Sequence, residues 1–381
     1  MRMHKHNPGH AHPSSVPQPS GGPPGFRRIY YSSSIAPGLM LSALVSDAVE
    51  NHALPVMVFH HGWHQQATDV ADTGAEIARA GFVTILPDMR GRGMSQGVPD
   101  ASGYELQDSV DALDQVERNF TRKPGTPGPY VGGMSGGGGS TYSMAGHFPY
   151  RFAAAMVLCG MSDYALWYEK DAAGSFRDEM DAWIGGPPSK LPLQYRNRSG
   201  LFLLANLRMP LYVFHGSEDE SVPPEHARKI DERRDDERFG GLAEVTILPK
   251  VGHAIASEHW LPALKAFPER HPLGLLPGKS ELYTVAGYLD LGFLRVDLGT
   301  MDASARLELS QDKDGHPQMV VVQTGGSAPV IHVSINMGAG AVCEAQSGKT
   351  VAEHTKNGVT HVYISNWADG AVIRIFGGKL P

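Results

Sequence analysis

At 381 residues, with 41% apolar and 19% charged side chains, the chain has the composition of a folded, water-soluble protein and the length for two or three domains. Its net charge of −7, from 33 basic and 40 acidic side chains, comes without a long basic tract and argues against a nucleic-acid partner, while the lack of any run near ~20 apolar residues argues against a membrane span. The two cysteines, Cys159 and Cys343, set up neither a disulfide framework nor metal-ligand spacing, and with no apolar signal core near the start the expected location is the cytoplasm.

Residues 1–25 are rich in Pro, Gly, Ser and His and hold nothing that builds a core, so they read as a disordered tail. His4, His6, His10 and His12 lie there without the ordered geometry that a metal site needs. Arg27 to Tyr31 and Leu39 to Val45, separated by the turn signal Ala36-Pro37-Gly38, predict two antiparallel strands. Pro55 to His60 is a continuous apolar run, as in a strand buried on both faces of a parallel sheet, and it ends in His60-His61-Gly62-Trp63. A loop in that place opens on the ligand crevice of an α/β sheet. There the backbone N–H of Trp63 is a candidate oxyanion donor, and the side chain of His61 is a second candidate and a candidate substrate contact. The competing reading has His60, His61 and His64 packing and hydrogen-bonding within a turn.

Ala67 to Ala80 has helical composition and stops at Gly81; Phe82 to Asp88 is the next buried strand. The loop after it, Met89 to Gly97, carries Arg90 and Arg92 among glycines, and these arginines either hold the loop through salt bridges or bind a substrate carboxylate. From Tyr104 to Phe120, Leu106, Val110, Leu113 and Phe120 share one helical face, which leaves Asp108, Asp111 and Asp114 as an expected solvated face.

Pro129 to Gly132 reads as a short strand that runs straight into Gly133-Met134-Ser135-Gly136-Gly137. A serine on a strand-to-helix turn sits in strained backbone and needs small neighbours, which Gly133 and Gly137 supply. Such a turn offers Ser135 as nucleophile and the N–H of Gly136 as an oxyanion donor. The plain alternative is a flexible linker, since Gly136 to Ser140 is also what a linker looks like.

Arg151 to Gly160 supplies a further strand, and residues 161–208 then break the alternation with scattered aromatics. As a cap-like insertion over the strand ends they either shape the substrate pocket, with Trp167 and Tyr168 the candidate contacts, or pack on themselves. Pro210 to Gly216 is the next strand; in the loop after it Asp219 is the candidate triad acid, with Glu218 the alternative. Pro223-Pro224 starts a helix through Ala227 and Ile230 whose charged continuation at 231–237 reads as solvated surface. Leu242 to Pro249 is the last strand of the sheet and His253 follows it. The order Ser135, Asp219, His253, each in a loop after a strand, is that of the α/β-hydrolase triad. With His253 as base, activity is expected to fall below pH ~6.5. No cofactor or metal is implied.

On these residues the chain resembles an α/β hydrolase, and most nearly the catalytic domain of the prolyl oligopeptidase family and related esterases. The likeness runs from Gly132 through Ser135, His147-Phe148-Pro149-Tyr150-Arg151-Phe152 and Ser162-Asp163 to Arg198-Ser199, Met209-Pro210, His215-Gly216, Asp219 and Val222-Pro223, and covers about residues 26–270. It implies a mostly parallel sheet with helices on both faces and a serine hydrolase acting through an acyl-enzyme. The chain departs from the family in three ways: no stretch reads as its β-propeller gate, Gly136 replaces a bulky residue, and the tyrosine that often lines the oxyanion hole is not evident. Ester hydrolysis is therefore expected ahead of peptide cleavage, on a small-molecule or polymer ester, with a prolyl-oligopeptidase-like peptidase or an inactive binding protein as alternatives.

After a helix through Leu261, Leu264 and Phe267, a Pro/Gly/Leu run at 272–278 marks a boundary. Leu307 and Leu309, then Ile331, Val333 and Ile335, alternate with polar residues, and Asp314-Gly315, Asn357-Gly358 and Asp369-Gly370 are hairpin turns. Residues 278–381 thus predict a smaller β-sandwich, which holds no catalytic constellation and is left with binding a polymer or partner, docking on the hydrolase, or mediating a homo-oligomer or larger assembly.

Overall fold

The two strands expected first form an antiparallel pair, β1 (Phe26–Ser32) and β2 (Met40–Ser46), with Phe26 opposite Ser46 and Ser32 opposite Met40. The structure, a computed structural model, describes residues 22–120, 122–171, 174–233, 241–278, 280–311, 317–328, 330–336, 342–345, 349–365 and 372–376. The tail through residue 21, most of the charged run at 231–237 and the turns at Asp314-Gly315 and Asp369-Gly370 lie outside the described residues.

From β2 the chain enters the alternation: β3 (Val56–His60), α1 (Ala71–Arg79), β4 (Val83–Asp88), α2 (Leu106–Asn119), β5 (Tyr130–Met134), α3 (Gly136–His147) and β6 (Ala154–Leu158). The insertion then gives α4 (Tyr164–Lys170), α5 (Arg177–Ile184), α6 (Pro192–Arg198) and a 3-10 stretch at Gly200–Asn206, before β7 (Leu211–Gly216), α7 (Glu225–Asp231), β8 (Ala243–Leu248), α8 (Ser257–Lys265) and α9 (Phe267–Arg270). The sheet order is β1-β2-β4-β3-β5-β6-β7-β8, antiparallel as far as β4 and parallel from there to β8. Alternate residues of one strand feed different cores. Val58 joins Leu113 of α2 and Met144 of α3, while Met57 and Phe59 join Ile77 of α1 and Trp260 of α8. Both faces are covered, which is why the strands read as unbroken apolar runs.

The aspartates of α2 correct the expectation of a solvated face. Asp108 and Asp111 are buried, and only Asp114 is substantially exposed, beside Arg151. Arg90 forks onto Asp108 at 2.6 and 2.8 Å, Ser33 Oγ donates to it at 2.8 Å, and the Ser34 N–H donates to Asp111 at 2.7 Å. The segment after β1 folds over the helix and brings these donors, which helical periodicity does not reveal.

The C-terminal strands are β9 (Glu281–Ala286), β10 (Tyr288–Asp290), β11 (Leu294–Asp297), β12 (Ala303–Gln311), β13 (Pro317–Gly326), β14 (Val330–Ile335), β15 (Val342–Ala345), β16 (Lys349–Lys356), β17 (Val359–Ser365) and β18 (Val372–Phe376). They pair antiparallel as one sheet in the order β15-β18-β13-β12-β9-β10-β11-β14-β17-β16. Leu307, Val321, Ile331, Val333, Val362 and Ile364 meet in a single cluster, so the sheet wraps one core as a sandwich does. It docks on the α/β part. Tyr288 and Met301 enter the core shared by α2 and α3, Asn197 donates to the carbonyls of Met301 and Ala303 at 2.8 Å, and Asn206 exchanges hydrogen bonds of 2.7 Å with the backbone of Thr284. No helix among the described residues is long and apolar enough to cross a membrane.

Asn206 also donates to the Gly146 carbonyl at 2.9 Å, so its amide is a buried junction between the two sheets' supports. Asn206→Ala leaves those backbone groups unpaired and is expected to cost about 1–3 kcal/mol, read as a lower urea midpoint; an unchanged midpoint would remove the junction from the account of stability.

Candidate active site

The site begins with a backbone constraint. Ser135 stands between β5 and α3 at φ 53 and ψ −120, a conformation that L-residues rarely adopt, and its N–H donates to the Leu158 carbonyl at 2.9 Å. The turn is so tight that a Cβ on Gly133 would run into the Gly137 carbonyl, and one on Gly137 into the His60 carbonyl. Glycine at 133 and 137 is therefore required by close approach, as expected for a nucleophile elbow. The glycine run is the first turn of α3, buried throughout, and not a linker.

Two further loops converge on the half-buried Ser135 hydroxyl. His253 Nε2 stands 2.9 Å from Ser135 Oγ, and His253 Nδ1 stands 2.8 Å from Asp219 Oδ2. Asp219 is fully buried and also accepts the N–H groups of Ser221 at 3.0 Å and Val222 at 2.9 Å, with His215 Nε2 at 3.4 Å. Despite burial, these donors hold its carboxyl well below the usual range. Burial alone would lower the pKa of His253, but the hydrogen bond to Asp219 and contact with Cys159 outweigh it and draw the ring above 6.5. The expected acid limb near pH 6.5 is thus displaced upward.

Cys159, at φ 44 just past β6, is the neighbour that the sequence did not suggest; it is buried, and a lone cysteine carries no motif. Its Sγ, an Asp219 oxygen and a His253 nitrogen lie within 4.8 Å of one another, the one grouping among the described residues with the ligand types for a soft metal. A metal held through Nδ1 would displace the proton that joins His253 to Asp219.

The loop after β3 faces the elbow. A Cβ on Gly136 would stand 2.6 Å from the Trp63 nitrogen, which explains why this chain has glycine after the serine: the backbone of Trp63 fills the space of a side chain. Gly136 and Trp63 also line a cavity with His61, Met89, Arg92, Pro99, Ala101, Ser102, Glu105, Ser140, Tyr164 and Trp183.

The structure places the three expected substrate contacts, His61, Trp167 and Tyr168, in different surroundings. His61 lines the cavity, but its Nδ1 donates to the Gly62 carbonyl at 2.8 Å and its Nε2 accepts the Met89 N–H at 3.2 Å, which leaves no donor for a ligand. Trp167 is buried behind Trp63, edge-on at 4.9 Å, and its indole N–H donates to the Ser221 carbonyl at 3.0 Å. It braces the Trp63 loop and the acid loop together. Tyr168 points elsewhere, with its hydroxyl 3.3 Å from Asp181 and Arg177 over its ring. The aromatics of the insertion that reach the cavity are Tyr164 and Trp183, which composition does not separate from their neighbours.

The chain matches the model of the prolyl oligopeptidase family over residues 71–271. An uncharacterized peptidase of Bacillus subtilis, YtmA, is 24% identical over 207 residues, 54% of this chain and 79% of that protein. Among solved structures, a puromycin-hydrolyzing peptidase of Mycobacterium tuberculosis matches with TM-score 0.55 at 18% identity, over 65% of this chain and 39% of that one. The uncomplexed acylaminoacyl peptidase of Pyrococcus horikoshii matches at 0.52 and 20%, over 66% and 42%, and an esterase of Pyrococcus furiosus at 0.51 and 14%, over 69% and 100%. These structural likenesses concern the α/β-hydrolase fold, and the chain spans less than half the length of the two solved peptidases.

The ring environment makes a direct prediction. Followed by NMR, His253 is expected to titrate above 6.5 and to shift downward in Cys159→Ala; a midpoint that does not move would take the thiol out of the ring's electrostatics.

Proposed function

Because the chain belongs to the prolyl oligopeptidase family, a family of serine hydrolases, we propose that it hydrolyses a carboxylic ester or amide through an acyl-enzyme formed on Ser135. The observation that carries this reading is the unbroken line of hydrogen bonds, 2.9 Å from Ser135 Oγ to His253 and 2.8 Å from His253 to Asp219.

In this mechanism His253 Nε2 takes the hydroxyl proton as Ser135 Oγ attacks the substrate carbonyl carbon. Asp219, acceptor-only and buried, keeps the ring in the tautomer with its proton on Nδ1 and stabilises the imidazolium that forms. The developing oxyanion is held by the backbone N–H groups of Gly136 and Trp63, at the start of α3 and in the facing loop. His253 returns the proton to the leaving group, then activates the water that releases the acyl group. The preference for an ester rests on an oxyanion hole counted as two backbone donors, since an alkoxide leaves more readily than an amine. The peptidase reading is favoured by what the relatives are called, an uncharacterized peptidase and an acylaminoacyl peptidase among them.

A panel of 4-nitrophenyl esters set against aminoacyl and X-Pro anilides separates the two. Ser135→Ala, Asp219→Asn and His253→Ala are each expected to lose roughly three to six orders of magnitude in kcat with circular dichroism unchanged. Undiminished turnover in Ser135→Ala, or failure of a fluorophosphonate probe to label Ser135, would sink the assignment. The rate rises with pH as His253 loses its proton, and since the ring is drawn above 6.5 the acid limb of kcat/KM is expected above that pH and lower in Cys159→Ala. A limb at or below 6.5 in the wild type would count against His253 as base.

A further inference from the structure

The loop Met89 to Gly97 carries two arginines, and the fold separates them. Arg90 is spent on Asp108. Arg92 faces the cavity beside Trp63 and Gly136, with its guanidinium stacked 4.8 Å over the Trp183 ring and its Nη2 buried without a hydrogen-bond partner among the described residues. A buried guanidinium N–H left unpaired is costly, and its pairing is completed by an ordered water, an ion or a ligand group that enters the cavity.

The guanidinium is also held still. Asp88 anchors the loop's base by accepting Ser42 Oγ at 2.5 Å and the backbone N–H groups of Ala67 at 2.8 Å and Met94 at 3.2 Å. The Arg92 N–H itself donates to the Met89 carbonyl at 2.9 Å. The one carboxyl lining the cavity, Glu105, is occupied by the backbone N–H groups of Ser102 at 2.7 Å and Asp100 at 3.0 Å, and burial with Asp100 nearby pushes it up to about 7, which weakens its competition for the arginine. The enclosed space among the lining residues is about 30 Å³ and opens to solvent on one side, which leaves room for a carboxylate head and none for a polymer.

We infer that this cavity is a subsite for a carboxylate of the substrate, paired with Arg92, so that the substrates are esters or amides that carry a free carboxylate close to the bond cleaved. The planar fork of an arginine matches a carboxylate in two hydrogen bonds, and stacking on Trp183 fixes its plane. The inference rests on the hydrolase reading above and adds the substrate class to it.

The test compares mono-4-nitrophenyl glutarate with 4-nitrophenyl pentanoate, which places the charge on the acyl side, and 4-acetoxybenzoate with 4-methylphenyl acetate, which places it on the leaving group. Wild type is expected to prefer the anionic member of one pair, mainly through KM. In Arg92→Gln that anionic-to-neutral ratio of kcat/KM should fall by on the order of tenfold or more, with part retained in Arg92→Lys. No preference in either pair, which is read without any variant, or a preference that survives in Arg92→Gln, overturns the proposal. Turnover of none of the esters is a failure of the hydrolase reading instead; calorimetry with monomethyl glutarate then decides the subsite. Binding to wild type that Arg92→Gln abolishes supports it, and no binding overturns it.

Discussion

The rest of the site depends on backbone packed against backbone where α3 leaves the sheet. Every glycine from 136 to 139 meets a different neighbour: Trp63 at Gly136, the His60 carbonyl at Gly137, Gly160 at Gly138 and Met161 at Gly139. A helix opening with four glycines gives up about 0.5–1 kcal/mol at each relative to alanine. That cost is offset because no side chain stands between the helix and the strand ends it serves. The same closeness brings the Trp63 backbone to the Gly136 position and holds the turn under the Leu158 carbonyl, so Ser135, the Trp63 loop and the end of β6 are set by one contact region.

From that region outward, the insertion acts as a brace. Trp63 lies 4.8 Å from Trp183 and 4.9 Å from Trp167, and its indole N–H donates to Glu179 at 2.5 Å, so α4 and α5 clamp the loop that carries Trp63. Trp167 extends the clamp to the acid loop through Ser221. The aromatic residues of 161–208 therefore do two jobs that composition cannot tell apart: Trp167 positions, while Tyr164 and Trp183 line the cavity.

How much was legible follows from what each feature requires. The parallel sheet and the three loops that bring Ser135, Asp219 and His253 together are readable because each loop follows a strand with a strong apolar pattern. Asp108 and Asp111 are not readable, because the donors that bury them come from Ser33, Ser34 and Arg90, remote in sequence and invisible to helical periodicity. His61 is placed at the cavity by its loop, but its hydrogen bonds are not legible in sequence, because both of its nitrogens are taken by backbone groups that only the fold brings near. Cys159 carries no motif, and the choice between Arg90 and Arg92 in their shared loop is made only by their neighbours.

The C-terminal sheet, which offers no chemistry in sequence, belongs to the same mechanical chain. Tyr288 donates to the Gly103 carbonyl at 3.2 Å, Asp297 accepts the Tyr104 hydroxyl at 2.8 Å, and Arg295 donates to Gln107 at 2.5 Å. These residues flank Ser102 and Glu105, which form one wall of the cavity, and Ala101 and Ser102 are held at φ 54 and 62, where L-residues are strained. Strained backbone persists only where its surroundings over-determine it, and here β10 and β11 supply part of that surrounding. The loop that carries Arg92 is anchored through Asp88 to the first strands and through Arg90 to Asp108 of α2. The cavity therefore lies between the Arg92 loop and a segment to which β10 and β11 are hydrogen-bonded, so the β sheet bears on the shape of that cavity.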